Sequence, residues 1–491
     1  MPTLSSKVIV IGGGVNGLAC AARLADAGHK VTLVEAAPQP GGAMALAQFT
    51  PGIDPRVLSG MDLAAHGLRF HPALSTTVLS ADGQHLTVAK GRIVSGLDGQ
   101  AAAEAEATFA RLSRFASALA PFRAMTPPRL TAKGNEWGRL AKLGLGIRAM
   151  GKAEFREFLR MILINVHDVA MDELSDDRLR GLLAFDATLG AWLGPRSPNS
   201  LILYLNRLAM GGSLVPKGGM AAVADAMTKA AQAKGVTIRC NARVVRILTE
   251  ADQAAGVELD SGEKLHADLV VSAIGPKATF RDLVGARHLD AGFHARTAHI
   301  RARGAAARLD LTLSAAPDFR GANPAHRLVI APSSEAVESA WNPVKYGEVP
   351  DRPVMQITLP HALEGGTPRL SAVVQFAPHA PADRAAAKAQ MLANTLAVLE
   401  DHAPGIGALI AQADLLMPWE IEEKFGLAGG NWHNGELAVE QMLFLRPLAG
   451  AAQYETPLPR LWLAGSGSHP GGWVTGTAGW SAAERILKGV A

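Results

Sequence analysis

The residues with the most specific chemistry stand near the start of the chain. Gly12-Gly13-Gly14-Val15-Asn16-Gly17 fits the spacing G-x-G-x-x-G through Gly12, Gly14 and Gly17. Gly12 permits a tight turn, Gly14 lets backbone approach a diphosphate, and Gly17 lets a helix lie close on the preceding strand. Glu35 follows 18 residues after Gly17, where a carboxylate accepts hydrogen bonds from ribose hydroxyls. An acid there, in place of a basic pair, argues against a 2′-phosphate. Gly41-Gly42 is a second place where backbone can pass close to a ligand. This spacing predicts a dinucleotide site with contacts from Gly12, Gly14, Val15, Asn16, Gly17, Glu35, Ala36, Gly41, Gly42 and Ala43.

Positioning those residues takes two strands and a helix. Val8-Ile9-Val10-Ile11 is a short β-branched run of the kind found in buried parallel strands. Leu18, Ala21, Ala22 and Ala25 make an apolar stripe at helical spacing, and Gly28 caps it. Val31-Thr32-Leu33-Val34 is the second strand and delivers Glu35. A lone G-x-G-x-x-G is weak, but strand, glycines, helix, cap, strand and acid in this order are specific.

The far end of the chain has a matching unit. Leu461-Trp462-Leu463-Ala464 reads as a buried strand, and Ala478, Ser481, Ala482, Ile486 and Leu487 mark a helix. Between them runs Gly465-Ser466-Gly467-Ser468-His469-Pro470-Gly471-Gly472-Trp473-Val474-Thr475-Gly476, a glycine-rich turn that lays backbone against something flat or phosphorylated. The helix start offers free N–H groups and a positive dipole end. Aimed at a flavin, it would stabilise the negative charge that grows at N1 and the C2 carbonyl on reduction.

The order G-x-G-x-x-G, Glu35, Gly41-Gly42 resembles the FAD motif of two-dinucleotide-binding-domain flavoproteins. The turn after Ala464 resembles the HPGG-type C-terminal signature of phytoene desaturase-like flavoproteins, especially the phytoene-dehydrogenase-related branch of the amine oxidase/phytoene desaturase superfamily. Between the ends, Val215-Pro216-Lys217-Gly218-Gly219-Met220 is similar to that family's GGM turn. Ile238 through Ile247 resembles the strand whose backbone holds the adenine, and Gly256 through Ala273 resembles the sheet that closes the cofactor domain. Gly194-Pro195-Arg196-Ser197-Pro198 and Gly429-Gly430-Asn431-Trp432-His433 are similar to the same branch, so the resemblance spans nearly the whole chain.

The resemblance implies an α/β fold, with a discontinuous Rossmann-like FAD-binding domain and a mixed-sheet plus helical substrate domain. It places the cofactor domain at 1–70, 215–285 and 420–491, and the substrate domain at 71–214 and 286–419. FAD would be held also by Val244, Ser272, Gly465, Ser466, Gly472, Trp473, Val474 and Thr475, with Arg196, Trp432 and Trp473 at the substrate pocket. The implied activity is hydride transfer to flavin N5 from C–C bonds of an apolar, isoprenoid or lipid-like substrate, as a desaturase, saturase or isomerase. Trp473 departs from the family, standing where a third glycine is expected. An indole there crowds one side of the isoalloxazine or lines the substrate cavity.

Composition excludes several other readings. The chain has 491 residues, a formal net charge of +4 and two cysteines, Cys20 and Cys240. With no C-x-x-C spacing, a local redox dithiol, a zinc ribbon and a disulfide framework are ruled out, and no metal site is expected. The small net charge argues against nucleic acid. No second G-x-G-x-x-G follows a strand, so electrons are expected to leave to oxygen, a quinone or a second substrate. G-x-S-x-G is missing, which disfavours a serine hydrolase.

No apolar run approaches the ~18 residues that span a bilayer, and no leader is evident, so a cytoplasmic protein is expected. Between 121 and 153 stand Arg123, Arg129, Lys133, Arg139, Lys142, Arg148 and Lys152 with the single acid Glu136. Trp137, Leu140, Leu143, Leu145, Ile147 and Met150 are interleaved with them. This stretch is either a peripheral membrane contact or an ordinary helix with a solvated basic face.

Within the substrate domain, Asp82-Gly83 reads as a hairpin turn and 101–120 as a helix with Phe109, Leu112 and Phe115 on one face. The runs 309–313, 327–331, 354–358 and 370–376 read as strands of a mixed sheet. The catalytic candidates are His433 and His469, with Asp54, Asp186 and Glu436 behind them. Two other functions stay open: an amine or alcohol oxidase on this scaffold, and a non-catalytic flavin-bound protein at a membrane surface.

Overall fold

A computed structural model describes residues 5–128 and 135–489. Five parallel strands form one sheet, in the order Leu461–Leu463, Leu269–Ser272, Lys7–Ile11, Lys30–Val34, Thr237–Arg239. Val8 and Val10 face one side of the first strand and Ile9 and Ile11 the other, and all four are buried. A strand buried on both faces must be covered twice. The helix Val15–Asp26 lies on one face with the helices Gly219–Ala233 and Thr477–Gly489. The antiparallel strands Val244–Glu250, Gln253–Leu259 and Lys264–His266 cover the other.

Two crossings depend on missing side chains. A Cβ on Gly17 would stand 1.9 Å from the Gly12 carbonyl oxygen, so the first helix meets its own strand only because residue 17 is glycine. A Cβ on Gly479 would stand 1.9 Å from the Asn16 carbonyl oxygen, where the C-terminal helix crosses the first. The first and last helices are thereby held against each other on one face of the sheet.

The second sheet has eight strands, in the order Ile410–Leu416, Ala306–Leu313, Arg369–Gln375, Val354–Thr358, Arg327–Ile330, Thr76–Val78, Leu86–Ala89, Arg92–Ser95. Only Arg327–Ile330 and Thr76–Val78 pair in parallel. Leu309, Leu328, Met355 and Ile357 pack toward the helix Arg384–His402. The opposite face packs on the helices Gly99–Ala124, Asp177–Thr188, Ser200–Leu208 and Ser334–Val344.

Three expectations change in detail. The helix expected over 101–120 runs over Gly99–Ala124, carrying Pro121 in its last turn. The stretch 238–247 is two strands in two sheets, because Asn241 takes a positive φ of 51° and redirects the chain. Its N–H donates to the Ala37 carbonyl, and that of Ala242 donates to Glu35, which wraps the bend around the second strand's end. The basic stretch divides into the helices Asn135–Arg148 and Lys152–Leu163, broken at Gly151 with φ 96°. Arg129 and Lys133 lie outside the described residues, as do the side chains of Glu136, Trp137, Arg139, Leu140, Lys142 and Leu143. Arg123 is not on a solvated face: its guanidinium donates to Asn206 Oδ1 at 2.5 Å. Among the described residues, no helix is long and apolar enough to cross a membrane.

The crossings set an expectation for stability. Gly479→Ala overpacks the helix contact and should cost about 1–3 kcal/mol. Gly144→Ala, in a helix with open space around it, should stabilise by up to about 1 kcal/mol. Thermal unfolding of the two variants reads the opposite signs directly; a Gly479→Ala protein as stable as the parent would contradict the packing described here.

Candidate active site

At the carboxyl ends of the parallel strands lies a cavity of about 1670 Å³. Small-molecule pockets usually measure ~300–1,000 Å³, so this one has room for a dinucleotide and a second molecule. Its wall runs from Gly12 and Glu35 on the parallel sheet to Gln356 and Val373 on the mixed sheet.

Each glycine of the N-terminal turn has a different task. Gly12 takes φ 97°, and a side chain there would touch Ile274 at 3.0 Å. A Cβ on Gly14 would meet nothing within 4 Å, so its backbone is open to a ligand. The helix starting at Val15 has no side-chain cap at Gly14, which leaves its first-turn N–H groups for an anion. Glu35 accepts from the N–H groups of Gly13 at 2.6 Å and Ala37 at 2.8 Å, which fixes its carboxylate at the cavity wall. Each carboxylate oxygen keeps acceptor capacity for a hydroxyl. Ala36, Gly41, Gly42, Ala43, Val15, Asn16 and Val244 line the same region.

The C-terminal turn faces the cavity at Ser466, Trp473 and Val474. Ser466 Oγ accepts from Asn434 Nδ2 at 2.7 Å, which leaves its own proton to donate elsewhere. Several residues expected at this wall stand behind it. Ser272 is fully buried with its hydroxyl on Thr279, and Ala273 lines the cavity in its place. Gly465 sits over the carbonyls of Ala273 and Ile274, where a Cβ would approach to 2.7 Å. A Cβ on Gly472 would stand 1.9 Å from His433 Nδ1. Thr475 turns inward and accepts from the Thr477 N–H at 3.3 Å.

The two histidines expected to be catalytic do not line the cavity. Trp432 Nε1 donates to His433 Nε2 at 2.9 Å. An indole N–H only donates, so the neutral imidazole carries its proton on Nδ1. Burial, reinforced by Arg446, pushes the His433 pKa down to about 3. His469 Nε2 donates to the Phe122 carbonyl at 2.9 Å and is likewise pushed down to about 3, by burial first and then by Arg123. Both rings are neutral wedges: one holds Trp432, the other ties the turn to the helix Gly99–Ala124.

Trp432 and Trp473 both line the cavity, and His433 stands between them, 5.1 Å from the Trp473 ring. Trp432 fits because residue 190 is glycine, with φ 72° and 2.4 Å from a would-be Cβ to the indole. Arg196 does not join them. Its guanidinium pairs with Glu335 and contacts His167 at the surface, so its charge is already satisfied. Asp54 caps a short helix and pairs with Arg56 at 2.7 Å. Glu436 is shared by Arg301 at 3.1 Å and Arg303 at 2.7 Å. Burial alone would raise the Asp186 carboxyl, but Arg207 and Arg327 outweigh it and hold it below the usual range.

One residue had no sequence signal at all. Arg446 is 1% exposed, and its guanidinium donates to six backbone carbonyls: His433, Gly435, Glu436, Gln441, Ser466 and Ser468. It thereby pins the 433–441 loop to the turn after the last strand. Gln48 and Gln356, which also line the cavity, hydrogen-bond to each other at 2.8 Å, with Gln356 held in turn by Arg327.

Comparison with known proteins agrees with this fold. Residues 7–351 match the family described as FAD dependent oxidoreductase. Hydroxyneurosporene desaturase of Cereibacter sphaeroides is 30% identical, the match covering 100% of this chain and 99% of that protein. The neurosporene-forming phytoene desaturase of the same organism is 26% identical over 99% of this chain and 96% of its own length. A mouse protein named pyridine nucleotide-disulfide oxidoreductase domain-containing protein 2 is 26% identical over 98% and 93%. In this chain Cys20 and Cys240 are both free. Among solved structures, an oxidoreductase from Methanosarcina mazei has a TM-score of 0.59 at 16% identity, covering 98% of this chain and all of that one. A putrescine oxidase bound to putrescine has a TM-score of 0.60 at 15% identity, covering 100% and 99%. At those identities the likeness is one of fold.

The buried histidines make acid stability a test of this geometry. Each is neutral in the folded protein and protonates near pH 6.5 once unfolded. Their contribution is complete above about pH 6.5 and is lost as pH falls toward about 3. Melting temperature should therefore fall from pH 7 to pH 4.5, and fall less steeply in His469→Gln. Equal slopes would mean that His469 is not held neutral.

Proposed function

This chain belongs to the FAD dependent oxidoreductase family, and within it we propose that it acts on C–C bonds of an apolar, isoprenoid- or lipid-like substrate. Relatives named hydroxyneurosporene desaturase and phytoene desaturase, matched over nearly the full chain, favour this substrate class. The observation that carries it is the apolar wall formed by Met44, Leu46, Phe49, Leu189, Val373, Trp432 and Trp473 in the same cavity as the dinucleotide turn. Besides Glu35, the carboxylates lining the cavity among the described residues are Asp282, Glu422 and Glu423, all exposed. An ammonium group would find no buried counter-charge at the apolar wall, which disfavours an amine substrate.

When bound, FAD supplies the two-electron chemistry, taking a hydride at flavin N5. In this reading Glu35 accepts from the ribose hydroxyls, and the backbone from Gly12 to Gly17 meets the diphosphate. Ser466, with its hydroxyl proton free, would donate to the flavin half, and Trp473 and Val474 would hold the ring. Trp432 and Trp473 exclude water and hold the substrate carbon in place. Neither His433 nor His469 would serve as a general base, since both are buried, neutral and outside the cavity lining, and the second proton would leave to water. The segments 1–70, 215–285 and 420–491 act as the cofactor domain, the rest as the substrate domain, and oxygen or a quinone takes the electrons.

Membrane contact is the second part of the proposal. Leu145, Leu159 and Leu163 are exposed, at 69%, 39% and 65%, on the helices that also expose Arg148, Lys152 and Arg156. Leucines among cations match an anionic bilayer surface. An apolar substrate dissolved in that bilayer would have a short path to the protein.

Anaerobic mixing with isoprenoids, fatty acids and amines tests the substrate class. The yellow flavin should bleach with a polyene or lipid-like compound and stay oxidised with amines; bleaching by amines alone would replace this reading with an amine oxidase. Trp473→Gly should widen the range toward longer polyenes. For the membrane, the protein should sediment with vesicles of phosphatidylserine and phosphatidylcholine, and Leu145→Glu/Leu163→Glu should bind at least tenfold more weakly. Indifference to those two changes would remove the helices from any membrane contact.

A further inference from the structure

Around the turn that follows the last parallel strand, the buried charges do not balance. Among the described residues no carboxylate pairs with Arg446, whose guanidinium lies 2.9 Å from the Ser466 carbonyl and 2.8 Å from that of His433. On the other side of the turn, Arg207 stands over the Trp473 ring at 5.7 Å from its centroid. Arg207 and Arg327, whose side chains are 12% and 2% exposed, share the single carboxylate of Asp186. The nearby buried Glu436 is already divided between Arg301 and Arg303, so it compensates neither cluster.

A buried cation without a counter-ion is costly, and apolar residues of similar size usually serve packing as well or better. Two such excesses flank one cavity wall, at Ser466 and at Trp473. Because both guanidinium groups are buried in the wall, their field acts over several ångströms with less screening than in water. It favours whatever ligand gains negative charge there during its reaction.

We propose that the excess of buried guanidinium groups around Ser466 and Trp473 makes bound FAD a stronger oxidant than free FAD, so that this site takes electrons from its substrate. The inference rests on FAD occupying the cavity. In the oxidative direction the substrate loses hydrogen from two adjacent carbons and gains a double bond. The hydride brings two electrons and one proton to the flavin, which then carries one additional negative charge, and the second proton goes to water. Molecular oxygen or a quinone later removes the two electrons. The added charge develops beside Trp473, where Arg207 and Arg446 stabilise it. The same field opposes the reverse reaction, saturation of a double bond.

Anaerobic spectroelectrochemical titration of the FAD-loaded protein reads this as a midpoint potential. The parent should lie above free FAD. Arg207→Met should lower the potential and Asp186→Asn should raise it, each by at least tenfold in the two-electron equilibrium, about 30 mV. Arg207→Lys, which keeps the charge, should stay near the parent. Opposite signs from two neighbouring substitutions do not arise from loosened packing. An FAD-loaded parent at or below the potential of free FAD, or shifts of one sign in both variants, overturns the inference alone. A protein that takes up no FAD overturns the cofactor assignment and this inference with it.

Discussion

The site depends on one buried guanidinium. Arg446 gathers carbonyls from the 433–441 loop and from the turn after the last parallel strand. Those two segments carry Asn434, Ser466 and Trp473, which with the adjoining Trp432 form part of the cavity wall. Neither segment has regular secondary structure over most of its length, so it cannot be held by strand or helix bonds. Buried loop carbonyls without partners would each cost on the order of 1–3 kcal/mol. A single side chain with five donors satisfies six of them and fixes their relative positions.

From that anchor the rest follows in order across the sheet. The second parallel strand ends at Glu35, the first at the Gly12–Gly17 turn, and the last at Ser466. A dinucleotide laid across these strand ends, with Leu269–Ser272 between the first strand and the last, would meet an acid for its ribose, then open backbone for its diphosphate, then the aromatic wall for its flavin. The mixed sheet closes the cavity from the other side with Val373, Gln356 and the residues that hold them. Asp186, Arg207 and Arg327 stand behind that wall as a second polar anchor, and the histidines serve as neutral spacers between indoles and turns.

How much of this could be read beforehand divides along a physical line. The N-terminal turn was legible because the role of each glycine is local: φ at Gly12, open space at Gly14, a close crossing at Gly17. Four strands of the mixed sheet were legible from short apolar runs, whereas Ile410–Leu416 at its edge, largely exposed, was not. Direction within a turn was not. Ser272, Gly465, Gly472 and Thr475 stand in the expected segments, yet none of them lines the cavity. Burial was also invisible, which is why His433 and His469 drew attention by residue type alone. The charge clusters were least legible, since Asp186 and Arg327 are 141 positions apart and meet only after both sheets have formed. Arg196 shows the converse: an arginine between prolines looked available, but Glu335 already occupies it.

FAD bound across the strand ends would set its adenosine ribose on Glu35. Titration of apoprotein with FAD and with ADP tests it most directly, because ADP shares the ribose and diphosphate but lacks the flavin. Glu35→Gln should weaken both ligands alike, by about tenfold or more, the worth of a charge-assisted hydrogen bond. Unchanged affinity for both would contradict the placement of the dinucleotide, and a loss confined to FAD would put the flavin, not the ribose, at Glu35.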